Sequence, residues 1–159
     1  FALAIGLSAR LALPIPGTPV PVTAQTLVVL LGAAVLGARR AGLGAVAYLA
    51  LGLAGTPWFT ATGGATLGYI VGFIAAAAVV GRLAATTGTR SVLGTAGLMA
   101  LGNLVICAFG VSFLALYLGI GAVEALTLGA VPFLIGDAVK VAIAAALLPA
   151  SWRMVGHRG

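Results

Sequence analysis

From Ser91 to Val123 the chain carries no charged side chain, a long stretch for a protein of 159 residues. Val92 to Leu118 alone exceeds the ~20 apolar residues that cross a ~30 Å hydrocarbon core as a helix. The rest of the chain agrees: 62% of residues are hydrophobic and 6% are charged, against the roughly 25% charged residues of a soluble domain. The chain is therefore read as a membrane protein. Its net charge of +6 does not suggest nucleic acid, because the basic residues are scattered and form no aromatic-interleaved stripe. The single cysteine, Cys107, lies inside an apolar run, so it is read as a packing residue, and the chain holds no disulfide framework or cysteine-based metal cluster. The chain opens on FALAIGLSARLALP without an initiator methionine or a basic leader. Phe1 is accordingly placed inside the first helix, with native residues missing before it, and not in a cleaved secretory signal.

Periodicity says little where nearly every position is apolar, so proline, glycine and charge set the divisions. They give six segments: Phe1 to Leu13, Thr23 to Ala38, Gly42 to Leu53, Gly68 to Ala85, Val92 to Leu118 and Val131 to Leu148. The expected fold is an all-α membrane protein of six transmembrane helices, a single transmembrane substrate-binding domain over residues 1–159. The second and third segments are too short to cross a ~30 Å core at about 1.5 Å per residue, so flanking residues must extend them or they sit shallow. The 24 glycines suit helices that approach closely in lipid.

Charge sets the orientation. Arg39 and Arg40, Arg82 and Arg90, and Arg153, His157 and Arg158 fall in alternate connections, which the positive-inside rule assigns to the cytoplasm. The other connections, residues 14–22, 56–66 and 119–130, hold no Lys or Arg and belong outside. Both termini are then cytoplasmic. Arg10 is the exception; its stem snorkels to the interface or its cation faces an anionic ligand.

The outer connections are chemically distinctive. Pro14, Pro16, Pro19 and Pro21 surround Gly17 and make a stiff, extended rim. Residues 56–66 bring Trp58 and Phe59 together with hydroxyls and the pair Gly63-Gly64, a surface suited to a small molecule, although Trp58 is also an ordinary interfacial residue. Thr23, Gln25, Tyr69 and Asp137 fall in the same outer half of the membrane, with Asn103 deeper. A substrate cavity is expected there. Asp137 and Lys140 share a helix face at i and i+3. That spacing lowers the cost of about 2.5 to 3.5 kcal/mol each charge bears near the bilayer centre. They form a ligand site or, alternatively, an interhelical clamp with Asn103 or Gln25 worth about 1 kcal/mol.

The segments PGTPVPVTAQT (16–26), G-x-A-G-x-P-W-F ending at Phe59, GYIVGF (68–73) and PFLIGDAVK (132–140) closely resemble the biotin transporter substrate-binding subunit family, the BioY family. The likeness runs over nearly the whole chain, and its first and last motifs are the specific ones. One departure is that Tyr69 follows ATLG (65–68) where the family often has Pro-Thr-Gly-Gly. The resemblance implies a six-helix substrate-specific (S) component of an energy-coupling factor (ECF) transporter, multi-pass in a bacterial or archaeal cytoplasmic membrane. Its implied role is to take biotin from outside as transported ligand, with no cofactor. The implied partners are a transmembrane coupling subunit and two ATPase subunits. The chain has no G-x-x-x-x-G-K-[ST] phosphate loop, so ATP hydrolysis falls to partners.

Biotin presents an apolar fused ring, a ureido group with two N–H donors flanking one carbonyl, and a carboxylate tail. Asp137 can accept from one N–H, with Asn103 or Gln25 accepting from the other. Lys140 donates to the ureido oxygen or balances Asp137. The tail would meet donors of residues 56–66 or Arg10, while Trp58, Phe59 and Tyr69 cover the ring. Ala2 with Gly6, and Ala4 with Ser8, lay two strips of small residues along the first helix, suited to internal packing or, by the resemblance, to docking on the coupling subunit.

An enzyme is not expected, since His157 lies in the basic tail and Glu124 far from a second acid. The remaining alternatives are an S component for another vitamin, or an autonomous carrier or channel in which Asp137 and Lys140 line the path.

Overall fold

The computed structural model describes residues 1–57, 59, 64–87, 91–134 and 136–144. Over these residues the fold is mostly helical: α1 Ala2–Ser8, α2 Gln25–Leu53, α3 Leu67–Thr87, α4 Val92–Leu118 and α5 Ala122–Gly129, followed by α6, Gly136–Ala144. Short 3-10 turns at Gly64–Thr66 and Val131–Phe133 lead into α3 and precede α6. Gln25–Leu53, Gly64–Thr87 and Val92–Leu118 are each long and apolar enough to cross a membrane, and Ala122–Phe133 with Gly136–Ala144 form a fourth such stretch, bent by 49°.

α4 spans the expected residues because both its ends are capped. Ser91 Oγ accepts from the Gly94 N–H at 3.1 Å, and Gly119 closes the helix in the left-handed region at φ 67°. α2, by contrast, is not one rod. Gly37 adopts φ 78°, ψ 166°, a region that only glycine enters at low cost. Gln25 and Tyr48 are separated by 23 positions, about 35 Å along a straight helix, yet their side chains hydrogen-bond at 2.8 Å. The chain therefore folds back at Gly37, and residues 25–36 and 38–53 lie antiparallel. The break expected near Arg39 and Arg40 is present, with both arginines exposed beside the turn.

α3 packs along this hairpin and against α4. A Cβ at Gly81 would collide with the Gly37–Ala38 backbone, and one at Gly72 would stand 3.0 Å from Ile106 Cα. Helices approach closely where those side chains are missing. Between them lies the core of Ile5, Val29, Leu30, Tyr48, Phe73, Val80, Met99 and Ile106. Leu93, Leu104 and Leu116 are exposed on the outside of the bundle, where lipid is the solvent.

Two expectations need correction. The first segment is not helical from Phe1 to Leu13: α1 stops at Ser8, and Ala12–Leu13 (β1) pairs antiparallel with Val22–Thr23 (β2), Ala12 opposite Thr23. Proline restrains its own φ and drives the residue before it toward extended backbone, so Pro14 and Pro21 hold the strands apart from any helix. The loop between them turns at Pro16 and Gly17, where Gly17 has φ 87° and Thr18 N–H donates to Ile15 O at 3.4 Å. That is the proline-then-glycine pattern of a type II turn. Among the described residues the fold is thus mostly helical with one small strand pair. The second correction concerns residues 119–130, expected as a connection: Ala122–Gly129 is helical, with Glu124 in its first turn, where the helix dipole favours a carboxylate.

Candidate functional site

The strand pair, Ala9 just past α1, the first limb of α2, α3, α4 and α6 surround a cavity of about 370 Å³, within the range of about 300–1,000 Å³ typical of small-molecule sites. It lies toward the end of the bundle that carries the proline loop, opposite the Gly37 turn. Its wall is mostly apolar: Val20 and Pro21 from the loop, Ile70 and Phe73 from α3, Ile106 from α4, and Phe133. Into it project Thr23, Gln25, Thr26, Tyr69, Asn103, Asp137 and Lys140.

Local structure explains how each arrives. Pro132 sits at the start of the 3-10 turn that follows α5, and α6 restarts beyond the bend. Asp137 thereby falls near the N-terminus of α6, where the dipole favours an anion, and Lys140 lies one turn deeper. The i, i+3 pair forms as its spacing implies: Lys140 Nζ lies 3.1 Å from Asp137 Oδ1, with side chains 15% and 16% exposed. Lys140 also donates to Thr26 Oγ1 at 3.0 Å, which ties α6 to the first turn of α2.

Across the cavity, Thr23 Oγ1 donates to Gln25 Oε1 at 3.0 Å, and Gln25 Nε2 donates to Tyr48 Oη at 2.8 Å. Tyr48 is fully buried on the second limb of α2. Asn103, near the middle of α4, is 9% exposed, and its Oδ1 has no hydrogen-bond partner among the described residues. Tyr69 lines the cavity with its ring, centred 6.3 Å from that of Phe133. Its hydroxyl donates to Gly129 O at 2.7 Å and pins α5 to α3.

Six sequence-predicted residues therefore meet: Thr23, Gln25, Tyr69, Asn103, Asp137 and Lys140. Phe59 does not join them. It is buried with its ring centred 5.5 Å from that of Tyr48, and it supports the Gln25 partner from behind. Arg10 is exposed and stands outside the cavity lining, although its neighbours Ala9 and Ala12 belong to it. The chain leaves helical geometry just there, which frees a long side chain for the surface. Trp58 lies outside the described residues. On α1 the small residues divide: Ala4 is exposed, Ala2 half-buried, and Gly6 and Ser8 buried. Ser8 Oγ donates to Ile5 O at 2.8 Å.

Thr26 and Tyr48 escaped the sequence reading. Thr26 carried a usable signal, since three polar residues within four positions at the mouth of an apolar helix is unusual. Tyr48 carried none, because its partner lies on the other limb of a hairpin.

Among the described residues, a mostly helical bundle with exposed apolar side chains holds a partly open, sparsely polar cavity of small-molecule size, the make-up of a membrane protein with room for a small solute. A family model, the BioY family, matches residues 1–157. The chain belongs to the BioY family. It is 34% identical over 143 residues to the biotin transporter BioY of Rhizobium etli, covering 81% of this chain and 76% of that one. Identity to the biotin transporter BioY of Thermotoga maritima is 38% over 138 residues, covering 82% and 80%. The fold is similar to a crystal structure of the S-component for biotin from an ECF-type ABC transporter, with a TM-score of 0.83 at 22% identity, over 96% of this chain and 87% of that one.

Proposed function

We propose that this chain is the substrate-binding component of an ECF transporter, a multi-pass cell-membrane protein that takes up biotin. It is a transport protein and not an enzyme; biotin is its cargo. Membership of the BioY family and the relatives named biotin transporters support the reading. The observation that carries it is the cavity, a mostly apolar, partly open space with its charge gathered at Asp137 and Lys140. Biotin has the matching division into apolar ring and hydrogen-bonding ureido group. Asp137 accepts from one ureido N–H, Lys140 pairs with that carboxylate, and Tyr69 with Phe73 and Phe133 covers the ring.

The finer reading adds six spans in a single domain over residues 1–159, the two limbs of α2 counting separately. Both termini are cytoplasmic and the cavity opens in the outer half of the membrane. A coupling subunit and two ATPase subunits supply the energy. Of the small residues on α1, Ala4 offers an exposed patch for the coupling subunit, while Gly6 and Ser8 belong to internal packing.

Equilibrium binding to the purified chain across the water-soluble vitamins tests the function. Saturable uptake of one biotin per chain is expected, with no conductance in a planar bilayer. Preference for another vitamin, or conductance without binding, would overturn it. For orientation, a cysteine at Thr87 should react with impermeant reagents only from the cytoplasmic side and one at Ala61 only from outside.

A further inference from the structure

The end of the bundle opposite the cavity carries a charge arrangement that biotin binding does not use. Gly37 turns the α2 hairpin at φ 78°, and α3 lies so close to that turn that a Cβ at Gly81 would collide with the Ala38 backbone. Arg39 and Arg82 each follow one residue after that contact, so the packing sets them side by side, and Arg40 adjoins them. All three are exposed, and among the described residues none is in an ion pair. The chain's two acidic residues, Glu124 and Asp137, are engaged elsewhere: Asp137 is held by Lys140 at the cavity, and Glu124 is in the first turn of α5. Like charges so gathered repel one another, and an anion among them relieves the repulsion.

The surface leading away from the arginines is apolar. Leu43 lies four residues beyond Arg39 and three beyond Arg40, on the same helix face as both. Val46, Ala50 and Leu53 continue that stripe at helical spacing, and all four are exposed. From Arg39 to Leu53 the stripe runs about 21 Å at about 1.5 Å per residue. That covers the ~15 Å that one leaflet contributes to a ~30 Å hydrocarbon core. A cationic head with an apolar strip of one leaflet's depth beneath it matches the outline of an anionic phospholipid. A soluble anion would use only the arginines, and so would an acidic protein surface outside the membrane.

We infer that Arg39, Arg40 and Arg82 form a binding site for the phosphate of an anionic phospholipid, whose acyl chain lies along Leu43, Val46, Ala50 and Leu53. Guanidinium groups take phosphate oxygens in pairs, and basic pockets between transmembrane helices hold anionic headgroups. On the orientation proposed above, the lipid belongs to the cytoplasmic leaflet. It bridges the two elements that meet at Gly81 and Ala38, so its binding stabilises the bundle without touching the biotin cavity.

The test uses the full chain purified in detergent, without biotin. Its thermal midpoint is followed while phosphatidylglycerol, phosphatidylcholine with the same acyl chains, or inorganic phosphate is titrated in. Phosphatidylglycerol should raise the midpoint saturably and the other two should not; high salt should weaken the effect. Each of Arg39→Gln, Arg40→Gln and Arg82→Gln should weaken the apparent lipid affinity roughly fivefold, and the three together about a hundredfold. Leu43→Asn should weaken it with the arginines intact. Arg10→Gln, which removes a charge at the cavity end of the bundle, should not. An equal response of wild type to phosphatidylglycerol and phosphatidylcholine would overturn the inference, and that comparison needs no variant that folds. An equal loss in Arg10→Gln would overturn it as an effect of net charge alone, and a matching response to inorganic phosphate would make the site one for a free anion. Variants that keep the phosphatidylglycerol response yet fail to assemble with a coupling module would also overturn it, giving the arginines to an acidic protein partner. Biotin affinity of the folded variants should equal that of wild type. Because the lipid titration contains no biotin, its failure and the failure of the biotin reading are separate results.

Discussion

The α2 wall of the cavity and the wall formed by α4 and α6 treat buried polarity in opposite ways. Thr23 at the end of β2 and Gln25 and Tyr48 on α2 satisfy one another across a hairpin, and the result is a joint between two limbs. On the facing wall, Lys140 joins Asp137 and Thr26, while the buried Asn103 Oδ1 has no partner among the described residues. A polar cluster complete in itself lowers the free energy of the fold. One that is incomplete costs free energy until a further donor is supplied. The contrast separates residues whose loss should damage stability from residues whose loss should damage binding.

The sharpest break in that contrast comes at Asp137. Asp137→Asn keeps the side-chain volume, replaces a charged acceptor with a neutral amide, and leaves Lys140 without its counter-charge. Loss of a charge-assisted hydrogen bond of about 1.5 to 3 kcal/mol should weaken biotin affinity roughly ten- to hundredfold. The melting temperature should change little. If the pair were only an interhelical clamp, stability would fall, Lys140→Gln would restore it, and affinity would follow the folded fraction. Equilibrium binding and melting of both single variants and the double variant distinguish the cases.

Gly37→Ala should show the opposite signature. A Cβ there meets no atom within 4 Å, so the expected cost of about 1–3 kcal/mol comes from the backbone at φ 78°. Denaturation should register that loss, with biotin affinity of the folded protein unchanged. A weakened binder of normal stability would place the hairpin turn in the binding machinery.

How far these two walls were legible in the sequence differs for the same physical reason. Asp137 and Lys140 were readable because charge is rare in this chain and helix geometry fixes which residues three apart can meet. Val92 to Leu118 was readable because its uncharged run and its caps are local. The proline loop announced a stiff rim but not that Ala12 and Thr23 would pair, since strand partners are chosen by tertiary closure. The helix at Ala122–Gly129 was hidden because its short, alanine- and glycine-containing run looks like a connection until α4 covers it. The Gln25–Tyr48 bond depends on the fold-back at Gly37, and in an apolar chain no periodicity marks which tyrosine faces inward. The unpartnered carbonyl of Asn103 is visible only once its neighbours among the described residues are known.

Tyr48→Phe tests the complete cluster with a smaller effect. It removes the acceptor for Gln25 Nε2 and should cost about 1 kcal/mol or somewhat more of stability. Biotin affinity of the folded protein should stay within about threefold of wild type, or less than 1 kcal/mol. A tenfold loss of affinity at unchanged stability would instead make Gln25 a ligand contact held in register by the phenol. The contrast between the two amides would then collapse.

The smallest effect on the isolated chain is expected at Ala4, which belongs to neither wall. Ala4 is exposed on α1, whereas Gly6 and Ser8 on the same helix are buried. A large side chain at Ala4 therefore meets only lipid, while one at Ser8 enters the core. Ala4→Trp should leave biotin affinity and melting temperature of the purified chain unchanged and should abolish uptake by cells that supply the coupling module. Ser8→Trp should lower the melting temperature, because overpacking a filled interior typically costs 1–3 kcal/mol. Were Ala4→Trp to support normal uptake, the exposed face of α1 would be a lipid contact, and the coupling subunit would have to engage another side of the bundle.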